Sequence, residues 1–111
     1  MEPPSVYTLN RCLVIATLPT QEQVDRIARD LAPDVVRIRF NVGQDWSDHP
    51  AVYFRVILSD EASQGDRLAE VTGLVSGRLA DELRLAELDH IPYFRFRSQS
   101  EQAKLHDTAW D

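Results

Sequence analysis

What this sequence has little of narrows it first. It holds one cysteine, one methionine and four glycines, and its 12 Lys plus Arg are outnumbered by 18 Asp plus Glu. A single thiol, Cys12, closes no internal disulfide and supplies too few thiolates for a cysteine-based metal site. That usage fits a reducing compartment. The most apolar N-terminal stretch, Cys12–Leu18, is far shorter than the roughly 20 residues a membrane span needs. It is also a poor secretion signal, because Glu2 and a lone Arg11 precede it and Leu18-Pro19-Thr20 is a poor cleavage site. The expectation is a cytoplasmic protein that makes no membrane contact. A net charge of −6 argues against a generic nucleic-acid binder, whose domains usually run basic. No Gly-x-Ser-x-Gly elbow, phosphate-binding loop, HExxH or Rossmann fingerprint occurs. No repeat, low-complexity tract or long linker divides the chain, and no cofactor, metal or catalytic residue is assigned.

What is present reads as one domain of 111 residues, long enough to bury a core without staples. Residues 1–19, opening with Pro3 and Pro4, form an N-terminal arm or an extra strand. Thr20 with Gln23 is a capping box, and Val24, Ile27, Ala28 and Leu31 follow at helical spacing until Pro33, predicting a helix over 21–32. Residues 35–42 and 51–58 alternate with period two, predicting an antiparallel hairpin across a polar loop. Leu68, Val71, Leu74, Val75, Leu79 and Leu83 predict an amphipathic helix over 66–86. Residues 91–97 alternate once more, and Ser98 with Glu101 caps a short helix near 99–106 within a tail, 98–111. A strand–helix–strand crossover makes its strands parallel. The expected fold is a two-layer α+β sandwich: a core over 20–97 in the order helix, strand, strand, helix, strand, then a short helix, with 51–58 central in a mixed three-stranded sheet.

The charges are distributed unevenly. The three strands hold Arg37, Arg39, Arg55, Arg95 and Arg97 and no acid at all. Alternation puts all five on the face that the long helices leave uncovered, together with Tyr53 and Tyr93. Such arginines can be a solvated strand face whose stems lie over the sheet, with acids of the N-terminal segment or tail pairing with them. As a ligand face, they offer planar bidentate donors for an anion. Beside tyrosines they suit single-stranded RNA, and they suit an acidic protein surface equally well.

The order of elements resembles the type II KH-like arrangement of the ribosome-binding factor A family, over about residues 21–106. The likeness lies in the Val75-Ser76-Gly77-Arg78-Leu79-Ala80-Asp81-Glu82-Leu83 stretch, where that family's long helix kinks at a small-x-Gly step. It extends to the hairpin running into Ser59-Asp60-Glu61 and to Ile91-Pro92-Tyr93-Phe94-Arg95-Phe96, a strand begun through proline. The resemblance implies a KH-like domain and, as partners, RNA and the small ribosomal subunit of bacteria. Members tend to be basic, whereas this chain is acidic. Ser76 stands where the family usually has alanine, and the Gly-x-x-Gly loop of RNA-binding KH domains is absent. The expected function is therefore a small non-catalytic binding module that works through its Arg/Tyr face on RNA or the ribosome. The alternative is a protein-interaction or regulatory accessory subunit that binds no nucleic acid. Neither reading fixes the oligomeric state.

A third option, a small enzyme, rests on the hairpin loop. Asp45, Asp48 and His49 are three oxygen and nitrogen donors within five residues, although aspartate is common in loops by turn chemistry alone. Trp46 in that loop is expected to fold back on the core, with an exposed partner anchor as the alternative. Gly73 and Gly77 predict close helix–sheet packing or a kink. Trp110 is read as docking on the domain or a partner, within a tail that frays by default.

Overall fold

The structure, a computed structural model, describes residues 17–111. The expected strand or arm at 12–18 therefore falls largely outside the described residues; Thr17 and Leu18 are irregular.

The first helix, α1 (Gln21–Asp30), begins at the predicted capping box. The Gln23 amide donates to the Thr20 hydroxyl at 3.2 Å, and the Thr20 amide donates to the Gln23 side chain at 2.9 Å. Each satisfies an amide the helix cannot. Val24, Ile27 and Ala28 are buried, and the Gln21 amide donates to the Ile38 carbonyl at 2.9 Å, tying α1 to the sheet. Two antiparallel strands follow, β1 (Val35–Gln44) and β2 (Pro50–Leu58). A long helix, α2 (Gly65–Glu82), then crosses to β3 (Ile91–Ser98), which pairs parallel to β2. The sheet order is β1-β2-β3 with β2 central, as the crossover rule requires. A short helix, α3 (Gln99–Leu105), and a 3₁₀ turn at Thr108–Trp110 end the described chain.

The core lies between the helices and one sheet face. Phe40, Phe54 and Phe94 stand abreast on the three strands, with Phe54 ring centroids 6.1 Å from Phe40 and 5.3 Å from Phe94. Ile38, Val52 and Val56 join them from the strands, and Val71, Val75 and Leu79 from α2.

Four expectations are corrected. The register of β1 shifts between Val35 and Arg37, so Val35 is buried while Val36 is 38% exposed. A bulge adds one residue and turns the neighbouring side chain outward. In α2 the buried stripe is only Val71, Val75 and Leu79; Leu68 and Leu74 are exposed. Gly73 and Gly77 are exposed too, and a Cβ added at either would meet nothing within 4 Å, so neither marks a close approach. The helix also stops at Glu82 rather than 86. Arg84 adopts a left-handed conformation (φ 54°), and the turn it makes returns Leu85 and Leu88 to the core.

Candidate functional site

The second sheet face carries all of the predicted Arg/Tyr set, arranged in rows by strand register. Arg37, Ile57 and Arg97 are partners across the three strands; next come Arg39, Arg55 and Arg95; then Asn41, Tyr53 and Tyr93. Like charges directly opposite one another destabilise a sheet, so a row of three arginines needs acceptors above it.

The chain supplies many of those acceptors itself. The segment Asp107–Asp111 lies over β1 and β2. Three main-chain oxygens each accept from a different arginine Nε: Trp110 O from Arg37 at 3.1 Å, Asp111 O from Arg39 at 2.8 Å, and Ala109 O from Arg55 at 2.7 Å. Trp110 is 3% exposed, with the Arg97 guanidinium 4.1 Å from its ring centroid and that of Arg95 at 5.9 Å. Beneath the segment's side of the sheet, Ile57 is 1% exposed even though no long helix among the described residues covers that face.

Carboxylates complete part of the match. Asp111 lies 3.7 Å from Arg37, Asp107 3.8 Å from Arg97, and Asp25 of α1 3.8 Å from Arg39. Arg55 and Arg95 pair with no carboxylate among the described residues; the Arg55 Nη1 donates to the Asn41 side-chain oxygen. Gln102 of α3 is the hinge of this arrangement. It is buried, accepts from Arg97 Nη1 at 2.8 Å, and donates to Asp107 O at 2.6 Å and Asp111 Oδ1 at 3.1 Å. The sequence pointed to acids of the tail as partners for these arginines, a role that Asp107 and Asp111 fill, and to Trp110 as a docking aromatic, but Gln102 was passed over. The Ser98–Glu101 capping box was the available signal, because it fixes α3 and so places Gln102 one turn beyond β3.

The hairpin loop forms a separate cluster. Asp45 Oδ1 accepts from the Ser47 amide at 2.9 Å, the Ser47 hydroxyl at 2.7 Å and the His49 amide at 3.0 Å, while Oδ2 accepts from Tyr93 Oη at 2.9 Å. These bonds, the Ser47 hydroxyl first, hold its carboxyl down at about 2, and the same Asp45 contact pushes the Tyr93 phenol up. Tyr93 in turn stacks on Tyr53 at 5.2 Å, and Tyr53 Oη donates to Gln44 O at 2.9 Å. Asp45 is thus occupied in shaping the loop. Asp48 turns the chain at φ 66°, and His49 borders a cavity of about 390 Å³ that His90 also lines. Among the described residues no three His, Cys, Asp or Glu side chains are grouped to hold a metal. Trp46 does not fold back on the core: it is 94% exposed. A cavity of about 580 Å³ lies at the opposite end of the sheet, with Leu58, Leu68, Ala69, Thr72 and Phe96 among its lining residues. Among the described residues no helix is long and apolar enough to cross a membrane.

Comparison of the chain with family models, with curated proteins and with solved structures returns no match.

Proposed function

We propose that the protein is a non-catalytic docking module of the cytoplasm whose arginine sheet face takes a segment of a protein partner. One observation carries the reading: three strand arginines each meet a main-chain oxygen of the same short segment, with one aromatic buried beside them. Backbone oxygens at regular spacing plus one side-chain anchor are what peptide-binding surfaces read. A short protein segment brings far fewer negative charges than a nucleic acid, so the chain's overall acidity opposes it less.

The test is affinity capture of the tagged chain from lysate of its own cells, with and without nuclease, beside an Arg39→Ala/Arg55→Ala double variant. A stoichiometric protein that survives nuclease and is lost with the variant supports docking. Recovery of RNA alone, abolished by nuclease, would reject it.

That second outcome belongs to a competing reading, favoured by a specific feature. The Arg39–Arg55–Arg95 row lies in register beside the stacked pair Tyr53 and Tyr93, a set suited to bases and phosphates of single-stranded RNA. It would follow the ribosome-binding resemblance, and it requires affinity to fall steeply with salt.

A further inference from the structure

The segment seated on the arginine face also describes what the face is built to hold. We infer that Asp107–Asp111, Asp-Thr-Ala-Trp-Asp, is an intramolecular stand-in for the partner, and that the partner presents an acidic segment with one aromatic flanked by carboxylates. The inference rests on the docking reading above.

Four features of the contact specify the ligand. The aromatic is required by the slot at Trp110, which is 3% exposed and roofed by the Arg97 guanidinium at 4.1 Å; a flat ring against a guanidinium gains from both stacking and cation–π attraction. A carboxylate one residue after the aromatic meets Arg37 at 3.7 Å and Gln102 Nε2 at 3.1 Å. A carboxylate three residues before it meets Arg97 at 3.8 Å. The backbone of this 3₁₀ turn is gripped through the oxygens of Trp110, Asp111 and Ala109 by Arg37, Arg39 and Arg55, a contact that reads the turned main chain without reading its side chains.

The charge count explains why a partner can do better than the chain's own segment. Arg55 and Arg95, neighbours across β2 and β3, pair with no carboxylate among the described residues, and Arg95 is exposed. A ligand carrying an additional acid over that pair would gain a bidentate contact the chain's own segment does not make. The chain's own segment has the advantage of tethering. His106 turns at φ 52° directly after α3, so the segment is held beside its site at an effective concentration on the order of millimolar. Exchange between the two makes the face respond only to partners that outcompete it.

The experiment uses the full chain and a labelled, end-blocked peptide of sequence Asp-Thr-Ala-Trp-Asp. Trp110→Ala vacates the slot in cis, so this variant should bind the peptide at least about tenfold more tightly than the wild type does. Adding Arg97→Gln should abolish that gain, and so should replacing both peptide aspartates by asparagine. Should Trp110→Ala fail to fold by circular dichroism, Asp107→Asn/Asp111→Asn loosens the cis contact while keeping the buried ring, and the same gain is expected. A folded variant that ignores the peptide, or binds the asparagine peptide equally, overturns the inference. If the captured partner nonetheless still depends on Arg39 and Arg55, docking stands and only the acidic–aromatic pattern falls. If the variant instead binds an oligouridine RNA and not the peptide, both fall.

Discussion

The Arg97 guanidinium lies 4.1 Å from the centre of the Trp110 ring, while Arg95, two residues earlier on the same strand face, is 5.9 Å from it. Arg97 also donates to Gln102 and lies 3.8 Å from Asp107, and its side chain is only 14% exposed. One arginine of the pair is committed to the segment, and the other is exposed and pairs with no carboxylate among the described residues. A double-mutant cycle should therefore return about 1 kcal/mol of coupling between Arg97→Ala and Trp110→Ala, and much less between Arg95→Ala and Trp110→Ala. Arg97→Lys should recover only part of the stability lost in Arg97→Ala, because a compact ammonium offers neither the planar stack nor the fork.

The two tryptophans are opposites: Trp46 is 94% exposed and Trp110 3%. Their fluorescence should separate cleanly. Trp46→Phe should leave a blue-shifted emission that resists acrylamide, and Trp110→Phe should leave a red-shifted one that acrylamide quenches freely. Equal quenching in the two variants would mean that segment 107–111 does not sit on the sheet in solution.

In α2, hydrophobicity and burial diverge. Leu79 is 0% exposed and Leu74 53%. Leu79→Ala should cost about 3 kcal/mol in denaturant unfolding, since it removes buried surface and leaves a cavity, whereas Leu74→Ala should stay within about 0.5 kcal/mol. Comparable losses at the two positions would place the helix in a different rotation.

The same divergence shows what was legible in the sequence. Period-two alternation, two capping boxes and the helical spacing of Leu68–Leu83 located the three strands and three α-helices in order, because those signals are local, whereas the 3₁₀ turns at Leu85–Glu87 and Thr108–Trp110 left no such signal. The sheet topology followed from the handedness of one crossover. The bulge at Val36 was not legible, since alternation counted back from Phe40 and Ile38 puts Val36 on the buried face and nothing in Val35-Val36 marks the extra residue. The exposed Leu68 and Leu74 read as core because the pattern records only that a side chain is apolar, not whether the sheet reaches it. At the candidate site the five arginines were readable as one face. Acids of the tail were readable as their partners, but the main-chain acceptors were not, because the oxygens of Ala109, Trp110 and Asp111 carry no residue signature. The Trp46 expectation failed because hydrophobicity alone sends tryptophan inward. Here the Asp45 bonds to Ser47 and His49 fix the loop with the ring outside.

Asp45 gives the loop an acid limit. Its folded carboxyl titrates at about 2, below its ordinary value of 3.8, so the ionised form is the one the loop holds. The stabilisation is present above the ordinary value and drains away as pH falls from 3.8 toward about 2. Amide resonances of Ser47 and His49 in the folded protein should therefore shift together with a midpoint near pH 2, with Asp45→Asn removing the transition. Tyr93, whose phenol is raised by its bond to Asp45, behaves in the reverse sense. Its contribution is complete below the ordinary phenol value and is lost as pH rises through the raised one. Asp45→Asn should bring the Tyr93 ultraviolet titration down; an unchanged tyrosine curve would mean the two side chains are not bonded in solution.

Gln102 should matter more than any surface glutamine. It is 7% exposed and its amide joins three groups, Arg97 Nη1, Asp107 O and Asp111 Oδ1, whose other partners are the Asp107 carboxylate at 3.8 Å, the Trp110 amide at 3.0 Å and Arg37 at 3.7 Å. Gln102→Leu keeps the volume and removes the bonds, leaving a guanidinium and a carbonyl short of partners in a half-dry site. Each such loss costs about 1–3 kcal/mol. Two consequences are separable. If Gln102 mainly stabilises the fold, the variant should lower the global unfolding midpoint while the Trp110 amide exchanges hydrogen only as fast as global opening allows. If Gln102 mainly latches segment 107–111, the Trp110 amide should exchange far faster than those of Val52 or Val56 in the core, with only a small drop in midpoint. The geometry favours the latch, because all three of its bonds serve the segment or the arginine that grips it, and none reaches the helix-side core.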